Sequence, residues 1–146
     1  MRMTTTGEPP AVISIHSFTD VWRGSSRPWK IGVLWDRDDR ISKPLIQALL
    51  AEPDLDANDV GDNEPYDGAL PGDTIDAIAT ARGLANTLIE LRQDVVAERR
   101  NAVAWAERIA RLLPPILADR RSRAPADFGS RARWTVHGRG KPSPAT

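Results

Sequence analysis

Val12-Ile-Ser-Ile-His-Ser-Phe18 is the stretch that most constrains the fold. Its core, Ala11–Ile15, is short, apolar and β-branched, with Pro10 before it and polar residues after it. That pattern predicts a buried strand rather than a helix. The run ends on His16, one of two histidines in the chain. Thr87-Leu-Ile-Glu-Leu-Arg-Gln-Asp94 predicts a second strand, over Thr87–Leu91, with Glu90 inside the apolar run. Two strands that each carry an ionisable group read as the two ends of one active site.

The segments between them fill in the frame. Lys30–Trp35 is a further apolar run, read as a strand. Asp36–Asp39 offers N-cap residues for a helix over Ile41–Ala51, whose apolar positions recur at helical spacing and whose Pro44 falls in the tolerant first turn. Pro53–Asp73 reads as one long polar loop, and loops above about 12–15 residues are usually functional or disordered. Asp73 caps a predicted helix over Thr74–Arg82, which Gly83 stops. A last helix is expected over Glu98–Leu113, with Ala102, Ala106, Ile109, Leu113 and Ile116 on one stripe and Pro114-Pro115 as its end. The order strand, strand, helix, helix, strand, helix predicts an α/β fold with a mainly parallel sheet. Residues 1–10 form a loose lead-in, 11–118 the folded body, and 119–146 an arginine-rich mobile tail.

Composition removes several function classes. The chain has no cysteine, which excludes disulfides and thiolate metal sites. Its formal net charge is zero, so no overall field draws it to nucleic acid or an anionic membrane. Arginines gather between Arg120 and Arg133, with Phe128 the one aromatic among them and Trp134 just after, a poor pattern for nucleic-acid binding. No signal peptide and no apolar run near the roughly 18 residues of a membrane span are apparent, so a cytoplasmic protein is expected.

Imidazole is a common zinc ligand, and Ser17 beside His16 can supply a supporting hydrogen bond. The other reading of His16 is a core histidine bonded to backbone. Glu90 is either a general base tuned by its surroundings or one half of an ion pair with Arg92, which lies on the same strand face. Tyr66, the only tyrosine, sits among turn residues, either as a substrate-closing phenol or as a surface turn residue. Arg23 and Arg27 can grip a carboxylate in bidentate fashion or remain solvated loop charges. Asp20, Asp62 and Asp73 are candidate oxygen ligands, or loop and cap residues. A Ser-His-Asp mechanism fits poorly, because Ser17 and His16 are adjacent on a strand and face opposite ways.

Taken together, SIHSFTDVWRGSSRPWKIGVLWDRD, VGDNEPYDG, PGDT, ARGL, LIELRQD and AWAERIARLLPPIL resemble, in order and spacing, the N-formylglutamate amidohydrolase family. The resemblance runs from about Ser14 to Leu117. It implies a three-layer α/β/α fold related to zinc carboxypeptidases, and hydrolysis of N-formyl-L-glutamate, or of other N-acyl amino acids, to the acid and the free amine in histidine degradation. It makes His16 a zinc ligand, Glu90 the base that activates water, Tyr66 a mobile substrate-binding residue, and arginines such as Arg23, Arg27 and Arg92 holders of substrate carboxylates. Lys30, Ile78 and Asn86 depart from the family, which is expected to carry histidine there. The family's upstream half, with its histidine–glutamate zinc motif, is expected to be missing, so two zinc ligands and the first strands of the sheet would be absent. The body at 11–118 is then an incomplete, C-terminal portion of the family domain, with an exposed sheet edge that favours self-association or a chain supplying the missing half. The alternative function is a catalytically inactive fragment or subunit that binds a partner.

Overall fold

The structure, a computed structural model, describes residues 7–132. Its strands are β1 (Val12–Phe18), β2 (Val21–Trp22), β3 (Ser25–Ser26), β4 (Ile31–Leu34), β5 (Val60–Asp62) and β6 (Asn86–Arg92). Its α-helices are α1 (Ser42–Leu50), α2 (Gln93–Val96) and α3 (Arg99–Leu117). Four strands form the main sheet in the order β1-β6-β4-β5, and β2 and β3 make a small hairpin. β1 runs parallel to β6 and β5 parallel to β4, while β4 and β6 are antiparallel. The α/β fold with a mainly parallel sheet is as expected; the antiparallel centre is an addition.

Period-2 alternation divides the sheet into two chemistries. Ile31 and Val33 of β4 pair with Leu91 and Ile89 of β6. All four face α1 and α3, where Leu45, Leu49, Trp105 and Ile109 complete the main core. Ile31, Leu45, Leu49 and Ile89 are fully buried, each stabilising the fold by about 1.5–3 kcal/mol. The intervening residues, Gly32, Leu34, Leu88 and Glu90, face the other way. Leu34 and Leu88 pack there with Ile75 and Val12. Ile75 belongs to a π-helical turn, Ile75–Ala79, that leads into a 3₁₀ turn over Thr80–Arg82. Asp73 accepts from the Asp76 amide and Gly83 ends the segment at φ 66°, so the expected cap and stop are present around a helix of different hydrogen bonding.

Several expectations are corrected. β1 extends through Phe18, so His16 lies within the strand instead of after it. β5 arises inside the expected long loop, because Val60 is buried beside Ile31 while its neighbours carry no apolar signal. None of Asp36–Asp39 caps α1 through its side chain; Asp38 is drawn into a buried pair with Arg40 instead. The core stripe of α3 runs through Trp105 rather than the exposed Ala106, since the indole offers far more area to bury. The helix also continues past Pro114-Pro115 to Leu117. Proline removes a donor and its ring crowds the carbonyl one turn back, but the Ala118 amide still closes on the Pro114 carbonyl, and Ile116 packs on the core.

The mobile tail expected from Asp119 is also corrected, as far as residue 132. Arg40 is buried and donates to the carbonyls of Arg121, Ala124 and Gly83, and its guanidinium lies 5.0 Å from the Phe128 ring. The Ala126 amide donates to the Gly83 carbonyl. Residues 119–132 thus form a strap along the body. His137, Arg133 and Trp134 lie outside the described residues.

Gly32 faces the backbone of the following loop. A Cβ there would stand 2.0 Å from the Glu64 carbonyl oxygen, and one on the paired Gly61 would stand 2.7 Å from it. We expect Gly32→Ala to lower stability by about 1–3 kcal/mol in urea denaturation, because the obstacle is backbone and cannot rotate away. A variant as stable as the parent would show that the loop does not rest on the sheet.

Candidate active site

His16 and Glu90 are register partners across β1 and β6, so parallel pairing sets their side chains together on the open face. His16 Nδ1 lies 3.6 Å from Glu90 Oε1. The histidine side chain is 55% exposed and the carboxylate 7%, so solvent reaches the pair from the histidine side. The residue supporting the imidazole is Ser14, whose Oγ is 3.2 Å from Nε2, rather than the expected Ser17. Residues two apart share a strand face, and residues one apart do not.

Glu90 Oε2 is buried and has no hydrogen-bond partner. Burial holds the carboxyl above the ordinary glutamate range, with His16 and Arg27 pulling the other way. The alternative pairing with Arg92 does not form. Arg92 turns outward and donates to both oxygens of Asp94, at 2.6 and 3.0 Å, and to the carbonyls of Arg27 and Pro28. Those hydrogen bonds hold Asp94 below the ordinary aspartate range. Arg92 therefore props the backbone that carries Arg27.

Arg27 is the buried cation of the site. Its guanidinium lies 5.0 Å from the Tyr66 ring, 5.4 Å from Trp22 and 5.9 Å from Phe18. Such rings favour a cation electrostatically. Arg27 also donates to the Tyr66 hydroxyl at 3.1 Å. Arg23, by contrast, lies exposed at the β2–β3 turn with φ 50°, over the Trp22 ring. Tyr66 follows the cis Glu64–Pro65 bond, in the loop that rests on Gly32 and Gly61. The structure thus gathers His16, Glu90, Arg27 and Tyr66 on one face and directs Arg23 and Arg92 elsewhere. Two of the oxygen-ligand candidates use their carboxylates structurally: Asp62 accepts from the Trp35 indole and Asp73 from the Asp76 amide. The Asp20 carbonyl accepts from the Arg27 amide.

Zinc finds too few donors here. The cluster offers one imidazole and one carboxylate, whereas a catalytic zinc takes three protein ligands. Among the described residues no group of three or more histidine, aspartate or glutamate side chains is placed to hold a metal. A cavity of about 450 Å³, lined by residues including Lys30, Trp105 and Arg108, lies on the α3 side, away from this face. No helix among the described residues is long and apolar enough to cross a membrane.

The α/β sheet thus carries a buried carboxylate beside a histidine on its open face, with a caged arginine on the same face. Residues 1–97 match the model of the N-formylglutamate amidohydrolase family, and the chain belongs to that family. A gene product of Agrobacterium tumefaciens with a solved crystal structure is similar at 31% identity and a TM-score of 0.61. The match covers 73% of this chain and 42% of that one, so this chain spans less than half of that relative's length. A search of curated proteins finds no match.

The aromatic cage escaped sequence reading because Tyr66 lies far along the chain from Phe18, Trp22 and Arg27, and joins them only in the fold. The burial of Glu90 gives a testable sign. Its carboxyl is raised above the unfolded value near 4.5, so its contribution to stability is full below that pH and is lost as pH rises through the folded value. Glu90→Gln should therefore raise the melting temperature at neutral pH by about 2–4 °C. The gain should vanish below pH 4.5. A pH-independent difference in thermal melts would contradict this.

Proposed function

We propose that this chain carries the base and carboxylate-binding parts of an N-formylglutamate amidohydrolase-like site, acting on the amide of N-formyl or other N-acyl amino acids. The observation that carries the reading is the Glu90 carboxylate: buried, with one oxygen unpartnered, and set beside His16 and Arg27. A carboxylate held above its ordinary range by burial is a stronger base than a free one, which suits it to take and return a proton.

In the proposed reaction, water adds to the formyl carbon as Glu90 removes its proton. Glu90 then delivers that proton to the amide nitrogen as the C–N bond breaks, leaving formate and the amino acid. Arg27 grips a substrate carboxylate, and the Tyr66 hydroxyl, already within reach of Arg27, adds a hydrogen bond. His16, hydrogen-bonded to Ser14, holds the side of Glu90 that faces solvent. Zinc enters the proposal only with donors from outside the described residues: His16 would be one ligand and two more would come from elsewhere.

A second reading rests on the β1 edge. Among the described residues β1 pairs on one side only, and Ile15 on it is 56% exposed. Such an edge accepts a further strand. Under this reading the chain acts as a subunit, joined to a second chain or to another copy of itself, and is inactive alone.

Formate release from N-formyl-L-glutamate, with and without added zinc, separates the two. In the first reading the chain releases formate and Glu90→Gln reduces kcat by about 10²–10⁴-fold. Arg27→Met should raise KM more than it lowers kcat, since it removes ground-state binding. Undiminished release by Glu90→Gln would remove Glu90 from the chemistry. A folded chain that releases no formate and sediments as an oligomer would favour the subunit reading.

A further inference from the structure

Arg131 of the strap lies well beyond the residues that the family model matches, yet it bonds to both the end of β4 and the loop that carries Tyr66. Its backbone amide donates to both oxygens of Asp36, at 2.9 and 3.1 Å, and its Nε donates to Asp36 Oδ1 at 3.0 Å. Its two terminal nitrogens form a fork on Asp67, at 3.0 and 2.7 Å, and one of them also donates to the Trp35 carbonyl. Asp36 and Trp35 follow β4, and Asp67 follows Tyr66 in the loop. One guanidinium therefore ties the loop that carries Tyr66 to the end of a central strand.

The rest of that loop is held by backbone fit. Its first residue, Asn63, accepts through Oδ1 from the amides of Trp35 and Gly68, and the Asn63 amide donates to the Val33 carbonyl. The Glu64 carbonyl rests over Gly32. Those contacts secure the loop's start and its end at Gly68. Between them, Asp67 is the residue next to Tyr66 whose side chain reaches another element, through Arg131. Burial opposes the charge on Asp67, but the Ala69 amide and Arg131 hold its carboxyl below the ordinary range, so the clamp survives mild acid.

We propose that Arg131 is a positioning residue for the site: by clamping Asp67 to Asp36 it sets Tyr66 against Arg27. The inference builds on the reading above, in which Tyr66 and Arg27 meet the substrate carboxylate. It adds that the C-terminal strap, outside the family match, is part of how this chain shapes its site.

The test uses the full chain, in which Tyr66 is the only tyrosine, so nitration by tetranitromethane reports on this loop alone. Arg131→Gln and Asp67→Asn should each speed Tyr66 nitration by about fivefold, as expected for loss of a bidentate pair within a network. The double variant should be no faster than either single one, because both remove the same contact. Ile109→Val, which trims the core on the opposite face, should lower the melting temperature and leave nitration unchanged. Unaltered nitration in Arg131→Gln, additive effects in the double variant, or an equal effect from Ile109→Val would each overturn the proposal. Binding of N-formyl-L-glutamate, followed by calorimetry, tests the reading beneath it separately. If the parent chain binds, Arg131→Gln should weaken binding about fivefold; if it does not, the substrate reading fails while nitration still decides the clamp.

Discussion

β6 lies inside the four-stranded sheet, between β1 and β4, with protein packed on both of its faces. That position settles where its alternating side chains go. Thr87, Ile89 and Leu91 enter the helix-covered core, and Asn86, Leu88 and Glu90 enter the opposite face. A glutamate on such a strand cannot reach bulk water by rotating its side chain. It must be paired, or be neutral, or bear a cost. Here the partner is a histidine from the edge strand, and it meets only one of the two carboxylate oxygens. The site is thus the place where the demands of sheet packing and those of a carboxylate disagree.

Around that carboxylate the chain places one cation. Among the described residues Arg27 forms no ion pair; its partners are the rings, the Tyr66 hydroxyl and the Thr19 carbonyl. Three aromatic faces hold a guanidinium without neutralising it. Its donors therefore stay available in a way that a salt-bridged arginine's do not. Arg92 shows the contrast within the same site: its fork is filled by Asp94 and by two backbone carbonyls, so it supports structure and offers nothing to a ligand.

Much of this was legible in single stretches. The strand-forming runs, the ionisable residue in each, the helix over Ile41–Ala51 and the Asp73 and Gly83 punctuation all follow from local pattern, because each depends on neighbours within a few residues. The motif set also carries the family resemblance, which the family match supports. The misreadings share one cause. Val60-Gly-Asp62 becomes a strand only because β4 offers it an edge, and α3 passes its prolines only because Ile116 has a core to enter. The strap looked mobile because the groups that fasten it to the body lie far away along the chain: Asp36 and Asp67 for Arg131, and Arg40 for the carbonyls of Arg121 and Ala124.

The sequence by itself determined the alphabet of the site: one histidine and one glutamate on strands, a tyrosine in a turn-rich loop, and arginines nearby. It did so because residue type and short-range periodicity are local properties. Only the tertiary structure decided which of those residues meet. Parallel register brought His16 to Glu90, strand alternation chose Ser14 over Ser17, a ring of distant aromatics chose Arg27 over Arg23 and Arg92, and the strap supplied Arg131. The meetings of His16 with Glu90, of Tyr66 with Arg27 and of Arg131 with Asp36 and Asp67 rest on contacts between segments whose separation in sequence carries no trace of their closeness in space.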